Sequence, residues 1–165
     1  MIRPATPHET PALVALGAST GLFTPQEADA LLRQVLDDLH AGRLGEDHQA
    51  HVWTDDATAQ PAGWVYFSRD PHADGVWELW WIGVAPTRQG TGVGAELMRF
   101  VEARVRAAGG RVLMLATSSL PALEPTRRFY GRRGYRECGR VPDYYASGDD
   151  KVIFAVAEAY LASCS

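Results

Sequence analysis

The segment Arg88-Gln89-Gly90-Thr91-Gly92-Val93-Gly94-Ala95 constrains the fold more than any other part of the chain. It follows an apolar, strand-like run that ends near Val84. It leads at once into a helical run with Val93, Leu97, Val101 and Val105 at four-residue spacing. Small residues in such a strand-turn-helix junction let backbone approach a ligand closely, and the N–H groups of the first helical turn point together at whatever anion lies above them. A pyrophosphate is the natural occupant. The plainer alternative, three glycines that serve only a tight turn, stays open on the loop alone.

Two other phosphate loops do not fit these residues. A Walker loop needs Gly-Lys-Ser or Gly-Lys-Thr, whereas Gly94 is followed by Ala95-Glu96. A dinucleotide fingerprint needs Gly-x-Gly-x-x-Gly and an acid about 20 residues on. Here the spacing is Gly90-x-Gly92-x-Gly94, and Gly109-Gly110-Arg111 stands where that acid belongs.

Around the loop, the pattern reads as alternating layers. A short strand, residues 2–5, precedes a helix over about 8–18. A second helix opens on Thr24-Pro25-Gln26-Glu27, a capping box with Pro at the first helical position, and runs to about Ala41 with Gly42 as its stop. Strands follow at 48–54, 63–69 and 76–84, with Asp/Pro/Gly-rich turns between them. The helix after the glycine loop ends at Gly109-Gly110, and a buried strand spans 112–116. A short helix passes through Tyr130 to Arg133 and stops at Gly134. Strands at 135–141 and 151–157 flank an expected loop at 142–150. The order β-α-α-β-β-β-α-β-α-β-β implies an α/β (α+β) fold with a mixed, mostly antiparallel sheet of about seven strands and helices on both faces.

With 165 residues, the chain is expected to form a single domain over 1–165. Its formal charge of -4 argues against nucleic acid as the partner, since phosphate binding leaves a basic footprint. No apolar run approaches a membrane span, and no signal segment opens the chain, so the expectation is a cytoplasmic protein. Cys138 and Cys164 offer neither a disulfide framework nor a metal site. Both are expected to be passive thiols, and no metal is expected.

Gln89-x-x-Gly92-x-Gly94 resembles the coenzyme A pyrophosphate loop of the GNAT N-acetyltransferases. Ile82-Gly83-Val84-Ala85-Pro86 looks like the end of that family's fourth strand, and Phe129-Tyr130-x-x-x-Gly134-Tyr135 is similar to its Phe-Tyr-x-x-x-Gly-Phe signature. The resemblance covers nearly the whole chain and implies the GNAT fold, with acetyl-CoA as cosubstrate. It implies that the backbone of Ile82 and Val84 pairs with the pantetheine arm. Gln89, Gly90, Thr91, Gly92, Val93, Gly94 and Ala95 would hold the pyrophosphate. Tyr130 would be the acid that protonates the departing thiolate. One position departs from the pattern: Leu123 stands where the family often has Asn, so that contact is either absent or supplied by Thr117, Ser118 or Ser119.

Amine attack on a thioester needs a neutral amine, a stabilised oxyanion and a proton for the thiolate. Backbone N–H near Val84 would meet the oxyanion. Glu78 is the candidate base, because period-two alternation places it on one face with Trp80, Ile82 and Val84, and a carboxylate beside Trp80 would have a raised pKa. A solvated or salt-bridged glutamate is the alternative. His51, alone on a strand, reads as a packed residue. Of Trp77, Trp80 and Trp81, two are expected in the core and one at an acceptor pocket. That pocket is expected around Gly21-Leu22-Phe23 and Asp143-Tyr144-Tyr145, with Asp143 holding an ammonium group. One of Arg127, Arg128, Arg132 and Arg133 would reach the coenzyme's 3′-phosphate. The acceptor is a small-molecule or peptide amine; the sequence leaves its identity, the acyl length and the oligomeric state, a homodimer included, undetermined. A catalytically silent coenzyme A binding or sensing module is the alternative function, and a longer acyl donor or a protein N-terminus or lysine acceptor is a third.

Overall fold

The computed structural model describes residues 1–157, which leaves Cys164 outside the described residues. Seven strands, β1 (Ile2–Pro4), β2 (Gln49–Thr54), β3 (Pro61–Arg69), β4 (Val76–Val84), β5 (Val112–Ser118), β6 (Arg136–Ala146) and β7 (Asp149–Ala157), form a sheet in the order β1-β2-β3-β4-β5-β7-β6. The β1/β2, β2/β3, β5/β7 and β6/β7 pairs are antiparallel, and β4/β5 is parallel. The chain forms two compact units. The first comprises Met1–Ser68 and Trp81–Val101, and the second comprises Arg69–Trp80 and the described residues from Glu102.

In the first unit, α1 (Thr10–Ser19) is entered through Thr6 and the buried Glu9. Two hydrogen bonds from the Arg3 guanidinium, at 2.9 and 2.6 Å, pull the Glu9 carboxyl down to about 2. The expected capping box is present: Thr24 Oγ1 accepts from Glu27 N at 3.2 Å, and the Glu27 carboxylate accepts from Thr24 N at 2.8 Å. The helix it starts is not uniform. It runs as α2 (Pro25–Ala28), a π turn (Asp29–Arg33) and α3 (Gln34–His40). Ala28, Leu32 and Leu36 recur every four residues, and all three are buried. In a pure α-helix of 3.6 residues per turn such a row drifts around the axis, and the wider π turn takes up that drift. Gly42, at φ 68°, lies just beyond the end of α3. These helices pack in one core with Val52, Trp64 and Trp81, and the Trp64 indole donates to Leu13 O at 3.1 Å.

The second unit is built on strict alternation. Trp77 and Leu79 of β4, Leu113 and Leu115 of β5, and Val152, Phe154 and Val156 of β7 are buried, while the residues between them on these strands are half-buried or exposed. Helix α4 (Val93–Ala107) contributes to both units, and its stripe of Val93, Leu97, Val101 and Val105 is buried as its spacing implies. Helix α5 (Glu124–Arg132) is followed by Gly134 at φ 85°. Below it Glu102, only 3% exposed, accepts from Arg133 Nη2 at 2.8 Å and from the Tyr135 hydroxyl at 3.2 Å.

The expected loop at 142–150 is largely strand. β6 continues to Ala146 and β7 begins at Asp149, so only Ser147-Gly148 turn, with Gly148 at φ 80°. The register jumps there, from Val141 opposite Lys151 to Ala146 opposite Asp149, so residues 142–145 bulge out opposite Asp150 alone. Pro142 and the run of polar residues hide this strand from a pattern reading. Among the described residues no helix is long and apolar enough to cross a membrane.

Candidate active site

In the first unit the glycine loop leaves β4 through a single 3₁₀ turn, Pro86–Arg88, and enters α4 at Val93. Gly90 and Gly92 have φ of 74° and 95°, values at which a side chain is strained, and nothing lies within 4 Å of where a Cβ would project from either. The loop is therefore open above a positive-φ backbone, which fits the close approach of a diphosphate. The first N–H turned back into the helix is that of Glu96, bonded to Gly92 O at 3.0 Å. By helix geometry the N–H groups of the turn before it have no i−4 carbonyl, and they lie at the positive end of the helix dipole. Ile82 and Val84 are half-buried at the end of β4.

Three side chains fix the loop from within. Gln89 Nε2 donates to Val84 O at 3.2 Å, and Thr91 Oγ1 donates to Arg88 O at 2.6 Å. Arg88 forms an ion pair with Asp55, just beyond β2, and Asp55 also accepts from Ala57 N at 2.8 Å. By sequence Asp55 is one more acid in the turn after β2; its burial is the signal, and burial is not visible in sequence. His51 is buried against Phe67 and Phe100, with ring centroids 6.0 and 4.6 Å away, a packed position. Phe23, expected at an acceptor pocket, packs on Trp81 with centroids 5.4 Å apart.

In the second unit a cavity of about 200 Å³ is lined by Glu78, Leu79, Trp80, Ala116, Tyr144, Tyr145 and Lys151. Trp77 and Trp81 are core residues, and Trp80, 55% exposed, is the one tryptophan of the strand left at this surface. Burial pushes the Glu78 carboxyl above its ordinary range, against the opposing charge of Lys151. Asp143, expected to hold an ammonium group, has φ 51° and caps the hairpin by accepting from Gly148 N at 2.6 Å.

Tyr130, 5% exposed, packs its ring against Phe129, Tyr135 and Phe154 at centroid distances of 5.5, 6.0 and 6.0 Å. Burial raises its phenol well above the ordinary value, so it keeps its proton at neutral pH. Three of the four arginines nearby are engaged. Arg127 donates to Ser118 O and Leu120 O, Arg128 pairs with Glu124, and Arg133 pairs with Glu102. Ser118 donates to Asp149 at 2.5 Å, and Ser119 Oγ accepts from Asp150 N at 2.8 Å. These two hydroxyl contacts tie the end of β5 and the residue after it to β7.

Residues 19–135 match the acetyltransferase (GNAT) family. A proposed GNAT-family acetyltransferase from Desulfovibrio desulfuricans is 34% identical, with a TM-score of 0.85 over 95% of this chain and 98% of that one. The chain belongs to the GNAT family, and with it to the acetyl-CoA-dependent N-acetyltransferases. Two further structures share the fold: an aminoglycoside 6′-N-acetyltransferase solved with coenzyme A, at 18% identity, TM-score 0.76 and coverage of 95% and 96%, and the ribosomal-protein-S18-alanine N-acetyltransferase of Escherichia coli, at 17%, 0.70 and coverage of 95% and 92%. No curated protein matches the chain significantly. Among the described residues no cluster could hold a metal ion.

Proposed function

We propose that the chain transfers an acetyl group from acetyl-CoA directly to a primary amine in a ternary complex. The observation that carries this reading is the open, positive-φ loop at Gly90 and Gly92 leading into α4. Residues Gln89 to Ala95 bind the coenzyme's diphosphate, and the backbone of Ile82 and Val84 binds the pantetheine arm. The amine nitrogen forms the new C–N bond as the C–S bond breaks. Glu78 accepts the proton lost by the nitrogen, and Tyr130 gives one to the sulfur. A silent binding module would need neither residue.

Acetyl-CoA is expected to raise the thermal midpoint, since a ligand bound only by the folded state stabilises it by mass action. Gly92→Val abolishes that shift. The substitution itself costs about 1–3 kcal/mol in backbone strain, so the shift is read within the variant, with and without acetyl-CoA. An undiminished shift would remove the loop from the binding site. Coenzyme A release across a panel of amines separates the enzyme from the binding module.

Glu78→Gln tests the base. Because burial raises the Glu78 pKa, the wild-type rate climbs with pH through that raised value and then levels off. The glutamine variant is slow near neutrality and recovers at high pH, where free amine is abundant. Superimposable pH profiles per folded enzyme, at saturating acetyl-CoA, would assign proton removal to solvent or to another residue, His51 next in line.

A further inference from the structure

The cavity of the second unit carries one negative and one positive side chain, Glu78 and Lys151, among otherwise uncharged lining residues. Strand register places both on the same face. Glu78 lies opposite Met114 in the β4/β5 pair, and Ser118 lies opposite Lys151 in the β5/β7 pair, with Ala116 between them. The other face of these strands is the buried core. Glu78 and Lys151 do not pair with each other, and neither forms an ion pair with any described residue. The Lys151 ammonium instead rests over the Tyr144 ring, 4.6 Å from its centroid. A half-buried ammonium that rests over a ring, at the wall of a cavity whose other charge is a carboxylate it does not bond, is matched by a ligand carrying both charges.

We propose that the acceptor is a small amine that also bears a carboxylate, an amino acid, with Lys151 binding the carboxylate while Glu78 faces the amine. Trp80 and Tyr145 then flank the rest of the molecule. The proposal rests on the acetyl-transfer reading above. It excludes polyamines and aminoglycosides as preferred acceptors, because their further charges are positive and would meet Lys151.

The test compares common α-amino acids with their own α-amides, which keep the side chain and α-amine and lose the negative charge; because the amide's amine is the weaker base, rates are compared per free amine. Wild type is expected to favour the acids about tenfold or more in kcat/KM, mainly through KM. Lys151→Met raises KM for the acids until the acid-to-amide ratio of kcat/KM is near one, while any change in kcat from loss of the charge near Glu78 falls on acids and amides alike; Lys151→Arg retains most of the preference. Circular dichroism and the thermal midpoint establish that each variant is folded. Equal use of acids and amides by wild type, or an equal loss for both in Lys151→Met, overturns the proposal while leaving acetyl transfer intact. Calorimetric binding of the same acids to the coenzyme A-saturated protein separates the two readings. Lys151-dependent binding without turnover overturns acetyl transfer and keeps the carboxylate site, and absence of both binding and turnover overturns the site.

Discussion

Tyr130→Phe is expected to lower turnover by about 10²-fold or more while acetyl-CoA affinity stays nearly unchanged. The ring is held by Phe129, Tyr135 and Phe154, so phenylalanine keeps the packing and the variant should unfold close to the wild-type midpoint. What is lost is the hydroxyl. Burial keeps that hydroxyl protonated, which is the state a proton donor to a departing thiolate must occupy. The loss belongs to the transition state, because the thiolate exists only as the C–S bond breaks, and kcat and kcat/KM should therefore fall together. Single-turnover acetylation, with acetyl-CoA affinity measured in parallel, checks this. Wild-type turnover in the variant would make Tyr130 a core residue and nothing more.

The largest loss of stability is expected at Glu102. Its carboxylate is buried and accepts from both Arg133 and the Tyr135 hydroxyl. Glu102→Ala leaves a mostly covered guanidinium without its counter-ion and a buried phenol without its acceptor. Breaking a buried pair from one side costs about 3–5 kcal/mol, and some residual exposure of the Arg133 side chain places the expectation near the lower end. Urea unfolding of wild type and variant measures it. Glu102→Gln, which can still accept from Tyr135, should lose less. A change below about 1 kcal/mol for Glu102→Ala would mean that water serves Arg133 as well as the carboxylate does.

Much of this molecule was legible because its sequence signals are local. The Thr24/Glu27 box, the four-residue stripe of α4 and the alternation of β4 each follow from backbone geometry within a few residues, and each appears as expected. The parts that were not legible depend on partners far along the chain. Asp55 reads as a turn residue until Arg88, 33 positions away, is seen beside it. Arg127 reads as one more cation on a helix until its bonds to the carbonyls of Ser118 and Leu120 appear. Residues 142–150 read as a loop because proline and polar residues dominate, whereas pairing with β7 decides their conformation. The π turn is a compromise between a four-residue burial row and a 3.6-residue helix, and no single residue announces it.

The bulge at residues 142–145 has a consequence for how this protein could change over generations. Tyr144 and Tyr145 ride on a stretch that faces Asp150 alone, between ladder pairs at Val141/Lys151 and Ala146/Asp149. Residues inserted or deleted in that stretch alter only the reach of the bulge, because the pairs on either side hold their own register. A cavity walled in this way can be resized by small changes in chain length, without remaking the strands that carry Glu78 and Lys151. Descendants of one ancestral chain could thus come to accept larger or smaller molecules while the glycine loop stays as it is.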